Sequence, residues 1–355
     1  MARTVHVVRT SSPRAWPRAL AGAAALCVLI GAAGCSSGRP CCDPCCPPCG
    51  GPVAPPPTIA PVPMPVPTPV AKPSAAAPDK VPTPALDEHK RVVYDGATGA
   101  PSSVEAFLAS AEDANLIGFG ELHGNVAGSE LELEILTALT SGKTPVALAM
   151  EFFERDTQEA LDAYLAGTMS EAEFVKAARQ NPPYARTHRP LIELCKAKHV
   201  PVIAANAPRR LVTGYRLTDK SFADYRAELS PADRTFLPEA TSIIEDRHKE
   251  RFMEMMGPER GPRLFKSMAL WDDSMADSIA LFQAKHPDTR VMLIVGAAHV
   301  TERLGTITKY LLRRPDAKVR TIVLSPAGDA SFALEGDDRK IGDAVVKVAA
   351  GAPRP

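Results

Sequence analysis

Glu121 and His123 stand two residues apart, directly after the apolar run Leu116, Ile117 and Phe119 and between Gly120 and Gly124. Side chains two apart on an extended backbone point the same way. A carboxylate and an imidazole therefore face one spot just past the end of a strand. Such a pair can orient the ring and raise its basicity, act as general base toward water, or share a metal ion. The same arrangement recurs three times: the apolar run 146–150 ends in Glu151, 202–205 in Asn206, and 291–296 is followed by His299. Four buried-looking strands that each end in a polar group predict one shared site, with Glu121, His123, Glu151 and His299 as its catalytic candidates. Gly118, Gly120, Gly124 and Gly296 would let the backbone turn sharply and approach a ligand closely. The spacing does not decide metal against no metal. Glu-x-His is a weak zinc signal and no His-Glu-x-x-His helix is present, so Glu121, His123 and His299 stand as metal-ligand candidates for a divalent ion.

Further candidates flank these. Asn206 and Arg209 follow the third of these strands, and an arginine suits a carboxylate or phosphate partner. Asp272 and Asp273 follow Trp271 on a late helix and reach either the site or solvent. Arg155 is placed to pair with Glu151 or a ligand, and Cys195 reads as a buried, inert thiol.

The elements that position these groups alternate. Strands are expected at 115–121, 145–150, 200–205, 290–295 and 319–324. Helices are expected at 128–141, with Ser129 and Glu132 as a capping box, then from Asp156, from Ser170 with Glu173, at 189–199 with Pro190 in its first turn, and at 301–314. This alternation predicts an α/β fold, a mostly parallel sheet flanked by helices, with ligands collecting at the carboxyl ends of the strands. Residues 207–285 read as mostly helical, broken at Pro231, Pro238 and Gly257-Pro258, and would form a helical cap or lid inserted between late strands.

The globular composition spans about 88–337, with 338–355 read as a tail. Residues 1–34 read as an export signal: Arg3, Arg9, Arg14 and Arg18 lead into an apolar stretch too short to span a membrane comfortably. The stretch ends in Ala32-Ala33-Gly34-Cys35, which resembles a lipobox with Cys35 as the lipidated residue, a membrane anchor. Residues 35–87 form a Pro-rich tether containing Cys41, Cys42, Cys45, Cys46 and Cys49, a cluster that suits disulfides in an oxidising compartment. With 41 basic against 41 acidic residues, nothing attracts nucleic acid by bulk charge.

The ordered set of motifs resembles the ChaN-like family of haem-binding uptake lipoproteins, in the superfamily that includes Tiki, TraB and erythromycin esterase. The matching residues are Gly120-Glu121-Leu122-His123, Met150-Glu151-Phe152-Phe153-Glu154-Arg155, Arg189-Pro190-Leu191, Ala205-Asn206-Ala207-Pro208-Arg209, Leu270-Trp271-Asp272-Asp273 and Gly296-Ala297-Ala298-His299. The resemblance implies haem binding, outer-membrane association, a cofacial haem-binding homodimer in some members, and hydrolysis at the Glu and His positions in relatives. For haem, the expected slot is Met253, Met255, Met256, Phe265 and Trp271, with Arg209, Arg247 or Arg251 at the propionates. Tyr184, His188, Tyr215 and His248 are the candidate haem or metal ligands near the lid. Haem binding, Glu/His-dependent hydrolysis and a structural envelope role are thus the three readings the sequence supports.

Overall fold

The computed structural model describes residues 91–349, apart from 181, 328–331, 333 and 335. The export signal, Cys35, the cysteine cluster, His6 and His89 lie outside the described residues. Seven strands form one sheet: β1 (Arg91–Asp95), β2 (Leu116–Glu121), β3 (Val146–Glu154), β4 (Val202–Asn206), β5 (Arg290–Gly296), β6 (Val319–Pro326) and β7 (Ala344–Val348). Their order is β1-β7-β6-β2-β5-β3-β4, parallel throughout except that β1 runs antiparallel to β7 at one edge. The expected α/β class is thus observed. Among the described residues, no helix is long and apolar enough to cross a membrane.

The α-helices in chain order are α1 (Val104–Ser110), α2 (Val126–Thr140), α3 (Gln158–Leu165), α4 (Glu171–Ala177), α5 (Arg189–Lys198), α6 (Arg209–Arg216), α7 (Phe222–Glu228), α8 (Pro231–Thr235), α9 (Arg247–Lys285) and α10 (Thr306–Arg313). They cover both faces of the sheet, because every strand of its centre is apolar on both sides. Ile117 and Phe119 of β2, with Leu148 and Met150 of β3, pack against α2 and α5. Leu116, Ala147, Ala149, Val291 and Leu293 pack instead against Met275 and Ile279 of α9 and Ile307 and Tyr310 of α10. The late half of α9 is therefore a layer of the core, while its early half turns non-helical at Gly257 (φ 76°, ψ 163°).

Two details of this packing set up the carboxyl end of the sheet. Glu121 continues the parity of Ile117 and Phe119, so it points to the layer made by α2 and α5. In β3 the register against β4 shifts between Met150 and Glu154. Phe153 rejoins the face of Leu148 and Met150 despite its odd spacing from them, so the irregularity flips the alternation and turns Glu151 toward β5.

Several expectations are corrected. The tail 338–355 contains β7, fully buried. Its run Ala-Val-Val-Lys-Val is interrupted by Lys347, whose ammonium group is satisfied inside by Asp338 (2.6 Å) and Ser325 (3.1 Å). Strand β1 and helix α1 lie where no element was expected. Helix α2 is capped by Asn125, whose side chain accepts from the Gly128 N–H at 2.8 Å; Ser129 and Glu132 lie within the helix and form no box. Asp156 does not cap α3 but pairs with Arg179. The box of Ser170 and Glu173 on α4 and the first-turn Pro190 of α5 are present as expected. The helix expected from 301 starts at Thr306, because Glu302 and Arg303 sit at positive φ (58° and 60°).

Candidate functional site

The site is a continuous run of acid and imidazole groups along the carboxyl ends of β2, β5 and β3, fed from both layers. On one side, Glu121 (4% exposed) meets His123 Nδ1 at 2.8 Å through Oε1 and His188 Nε2 at 3.2 Å through Oε2. His188, just ahead of α5, stacks on Phe152 with centroids 3.9 Å apart, and His123 meets the edge of the same ring. On the other side, Asp272 of α9 (1% exposed) takes His299 Nδ1 at 2.7 Å, His248 Nε2 at 3.0 Å and the Thr306 hydroxyl at 2.7 Å. Glu151 lies between: it accepts from the Gly296 N–H at 2.7 Å and stands 3.8 Å from His299 Nε2.

Gly296 is where the two sides meet. It pairs with Glu121 across the β2–β5 ladder, and a Cβ added there would sit 2.8 Å from His123 Cε1, 2.9 Å from His123 Nε2 and 3.5 Å from Glu151 Oε2. The His123 ring thus lies on a bare α-carbon, which brings it beside Glu151. Its side chain is 45% exposed, and its Nε2 has no hydrogen-bond partner among the described residues. Gly124, at φ +79° with nothing around it, turns the chain away from the mouth directly behind His123.

Electrostatics follows from these contacts. Burial would raise the Glu121 carboxyl, but hydrogen bonds and charge from His123 and His188 outweigh it and hold the group at about 2, below 4.5. Burial would lower His299, but the charges of Asp272 and Glu151 raise it from 6.5 to about 9. Asp272 is held well below the usual carboxylate range, because the charge of His299 and hydrogen bonds from both imidazoles overcome its burial. His123 is raised chiefly by its hydrogen bond to Glu121, and Glu151 adds to this while His299 opposes it. At neutral pH the mouth therefore holds a cationic, buried His299 facing Glu151.

Linkage gives this a sign. The raised His299 supplies stability that is complete below pH 6.5 and lost as pH rises through about 9. The depressed Glu121 supplies stability complete above pH 4.5 and lost as pH falls through about 2. We expect an alkaline decline worth about 3 kcal/mol between those limits, measured by denaturant titration across pH. A profile flat from pH 6.5 to 9 would contradict the His299 assignment.

Of the sequence candidates, Glu121, His123, Glu151, His299 and Asp272 come together. Asn206 and Arg209 do not join them. Asn206 is in register with Glu154 rather than Glu151, and its Oδ1 accepts from the Ala207 N–H; Arg209 is exposed at the start of α6. Arg155 pairs with Asp277 (2.9 Å) and bonds Ser274 and Ser278 of α9, not Glu151. Asp273 is buried and holds Lys309, Arg313 and Thr241 away from the mouth. Glu121, His123 and His299 do not assemble as metal ligands: both Glu121 oxygens and both Nδ1 atoms are taken, and no three His, Cys, Asp or Glu among the described residues are grouped to hold a metal ion. Tyr184 and Tyr215 are buried in apolar surroundings, and Cys195 is buried with its thiol pushed up to about 12.

His188, His248, Thr306 and Glu132 are the contributors that sequence reasoning underrated. Glu132 left a usable signal, because it falls on the buried stripe of α2 with Leu131, Ile135, Leu136 and Leu139. Such a position costs a carboxylate dearly unless a partner waits there.

The expected apolar slot is filled by its own side chains. Phe252, Phe265, Met268 and Ala269 pack together with Met256, Met255 is exposed, and Trp271 packs into the core. Arg247 pairs with Glu250 and Glu254, and Arg251 with Glu302. A cavity of about 10 Å³, space for one water, remains between His248, Phe265, Asp272 and Lys309. The wider hollow by Met169 and Lys176, about 460 Å³, is formed by α4 and the turn before it and contains none of the mouth residues.

Among solved structures, the chain is similar to ChaN of Campylobacter jejuni, described as binding haem cofacially. The TM-score is 0.52 at 18% identity, covering 74% of this chain and 98% of that one. Lower similarities are to the type III effector HopBA1 (TM-score 0.42, 11% identity, 72% and 94% covered) and to a mutant of the erythromycin esterase EreC in its open conformation (0.40, 12%, 66% and 77%). The first shows the shared fold. A comparison with curated proteins found no match. The family described as "Haem-binding uptake, Tiki superfamily, ChaN" matches residues 107–310, more than half of the 355-residue sequence, and the chain belongs to that family.

Proposed function

We propose that this chain binds haem at the strand-end mouth and serves haem uptake from a tethered position in the cell envelope. The observation that carries the reading, beside family membership, is the His123 imidazole. Its Nδ1 is bound to a buried carboxylate and its Nε2 is open at a surface where the ring is 45% exposed. A carboxylate-oriented imidazole with one free nitrogen is a good donor to iron. His123 would thus offer a nitrogen to the iron through its open Nε2.

The fit is partial, and it changes where haem would lie. A slot inside the lid is not supported, because the Met and aromatic side chains meant to line it pack on one another. His123 at the open mouth would instead be the residue that holds haem. A second copy could complete the site in a homodimer, and the lipobox-like run ending at Cys35 supports the tether. Loss of the protein from the membrane fraction in Cys35→Ser checks that anchor.

Titration of the purified protein with haemin tests the reading. We expect a saturable Soret shift at micromolar protein; a flat titration removes the proposal. Hydrolysis is the second reading, favoured by Glu151 standing between His123 and the cationic His299, an arrangement for a general base with an electrostatic partner. Esterase activity unchanged by Glu151→Gln would count against it.

A further inference from the structure

Phe152 follows Glu151 in the irregular stretch of β3 and is only partly buried, yet it touches two imidazoles. Its ring lies against His188 with centroids 3.9 Å apart and planes 27° from parallel. Toward His123 the two rings stand nearly perpendicular, at 84° with centroids 5.5 Å apart. Both imidazoles are bound to the same carboxylate, His123 Nδ1 to Glu121 Oε1 at 2.8 Å and His188 Nε2 to Oε2 at 3.2 Å. Glu121, His123, Phe152 and His188 therefore close a ring of four side chains, brought from β2, the loop behind it, β3 and the residue ahead of α5. The backbone of Phe152 is held as well, since its carbonyl accepts from Gln180 Nε2 at 3.0 Å.

We propose that Phe152 is a positioning residue for His123, the wall that fixes the plane of its imidazole at the mouth. A hydrogen bond at Nδ1 holds one atom and leaves the ring free to pivot about that bond. Gly296 supplies a floor, since a Cβ there would sit 2.8 Å from His123 Cε1, and Phe152 supplies the wall. Perpendicular contact between such rings is favourable in itself, because the positive edge of one meets the negative face of the other. The stack on His188 keeps the wall in place, and His188 is bonded in turn to the carboxylate that holds His123. An aliphatic chain of similar volume would fill the space without offering a plane. The wall matters because the His123 side chain is 45% exposed, so packing does not enclose it. The consequence for a ligand, a fixed direction for Nε2, rests on the haem reading; the arrangement of the four side chains does not.

NMR of the haem-free protein, labelled in its histidine and phenylalanine rings, tests the wall. The wild type should show nuclear Overhauser contacts between the Phe152 and His123 rings, and a high order parameter for the His123 Cε1–H bond. Phe152→Leu, which keeps an apolar filler but no plane, should lose that order. Phe152→Tyr, which restores a flat ring, should regain it. Haemin titration of the same proteins reads the consequence: binding about fivefold weaker in Phe152→Leu and at the wild-type level in Phe152→Tyr. His123 order unchanged in Phe152→Leu, order lost equally in Phe152→Tyr, or a wild type without the ring contacts would overturn the proposal. Should Phe152→Leu fail to fold, Phe152→Met, a more adaptable filler, takes its place with the same outcomes expected. A flat haemin titration of the wild type would remove the haem reading and leave the NMR result to stand or fall alone.

Discussion

Replacing Asp272 by alanine should lower the unfolding free energy by about 3–5 kcal/mol, the largest single effect we expect. The residue is 1% exposed and is the acceptor for His299 Nδ1, His248 Nε2 and the Thr306 hydroxyl at once. Its removal leaves three polar groups buried without their partner, one of them cationic at neutral pH. The pH dependence should change with it. Asp272 is the leading charge that raises His299, so the alkaline decline between pH 6.5 and 9 should flatten in the variant. Denaturant titration at pH 6 and pH 9 reads both effects; a loss below about 1 kcal/mol would mean that the imidazoles find other partners.

The second large effect is on binding, with the fold spared. Gly296→Ala places a Cβ 2.8 Å from His123 Cε1 and 2.9 Å from its Nε2, closer than such atoms approach. The ring is half-exposed and can swing outward, so the clash is relieved by moving His123 off the mouth rather than by moving β5. We expect haemin affinity to fall at least tenfold, about 1.4 kcal/mol, while the unfolding free energy stays within about 1 kcal/mol of wild type. Unchanged affinity would show that His123 does not need its seat on Gly296. A large stability loss would show that the strand yields first.

How much of this could be read from the residues alone depended on whether the signal was local. Glu121, His123, Glu151 and His299 follow central strands whose apolar runs are unbroken, and in a parallel sheet such ends converge. Asn206 obeyed the same pattern yet lies elsewhere, because the irregularity in β3 sets Glu154, not Glu151, against it. That shift depends on pairing between strands and leaves no mark on either one. Strand β7 was hidden by Lys347, whose partners Asp338 and Ser325 are visible only once the chain is folded. The roles of His188 and His248 were equally non-local: each reaches its carboxylate across 67 and 24 residues respectively. Glu132 is the instructive miss. Three residues after Ser129 it looks like a cap, yet its place on the buried stripe already demanded a partner.

The most direct test of the account compares haemin titrations of the wild type and His123→Ala at neutral pH. If the open Nε2 of His123 is the point where ligand meets protein, the wild type saturates with a Soret shift and the variant binds at least tenfold more weakly with its unfolding midpoint preserved. Equal binding by the two proteins would contradict it, and so would no binding by either.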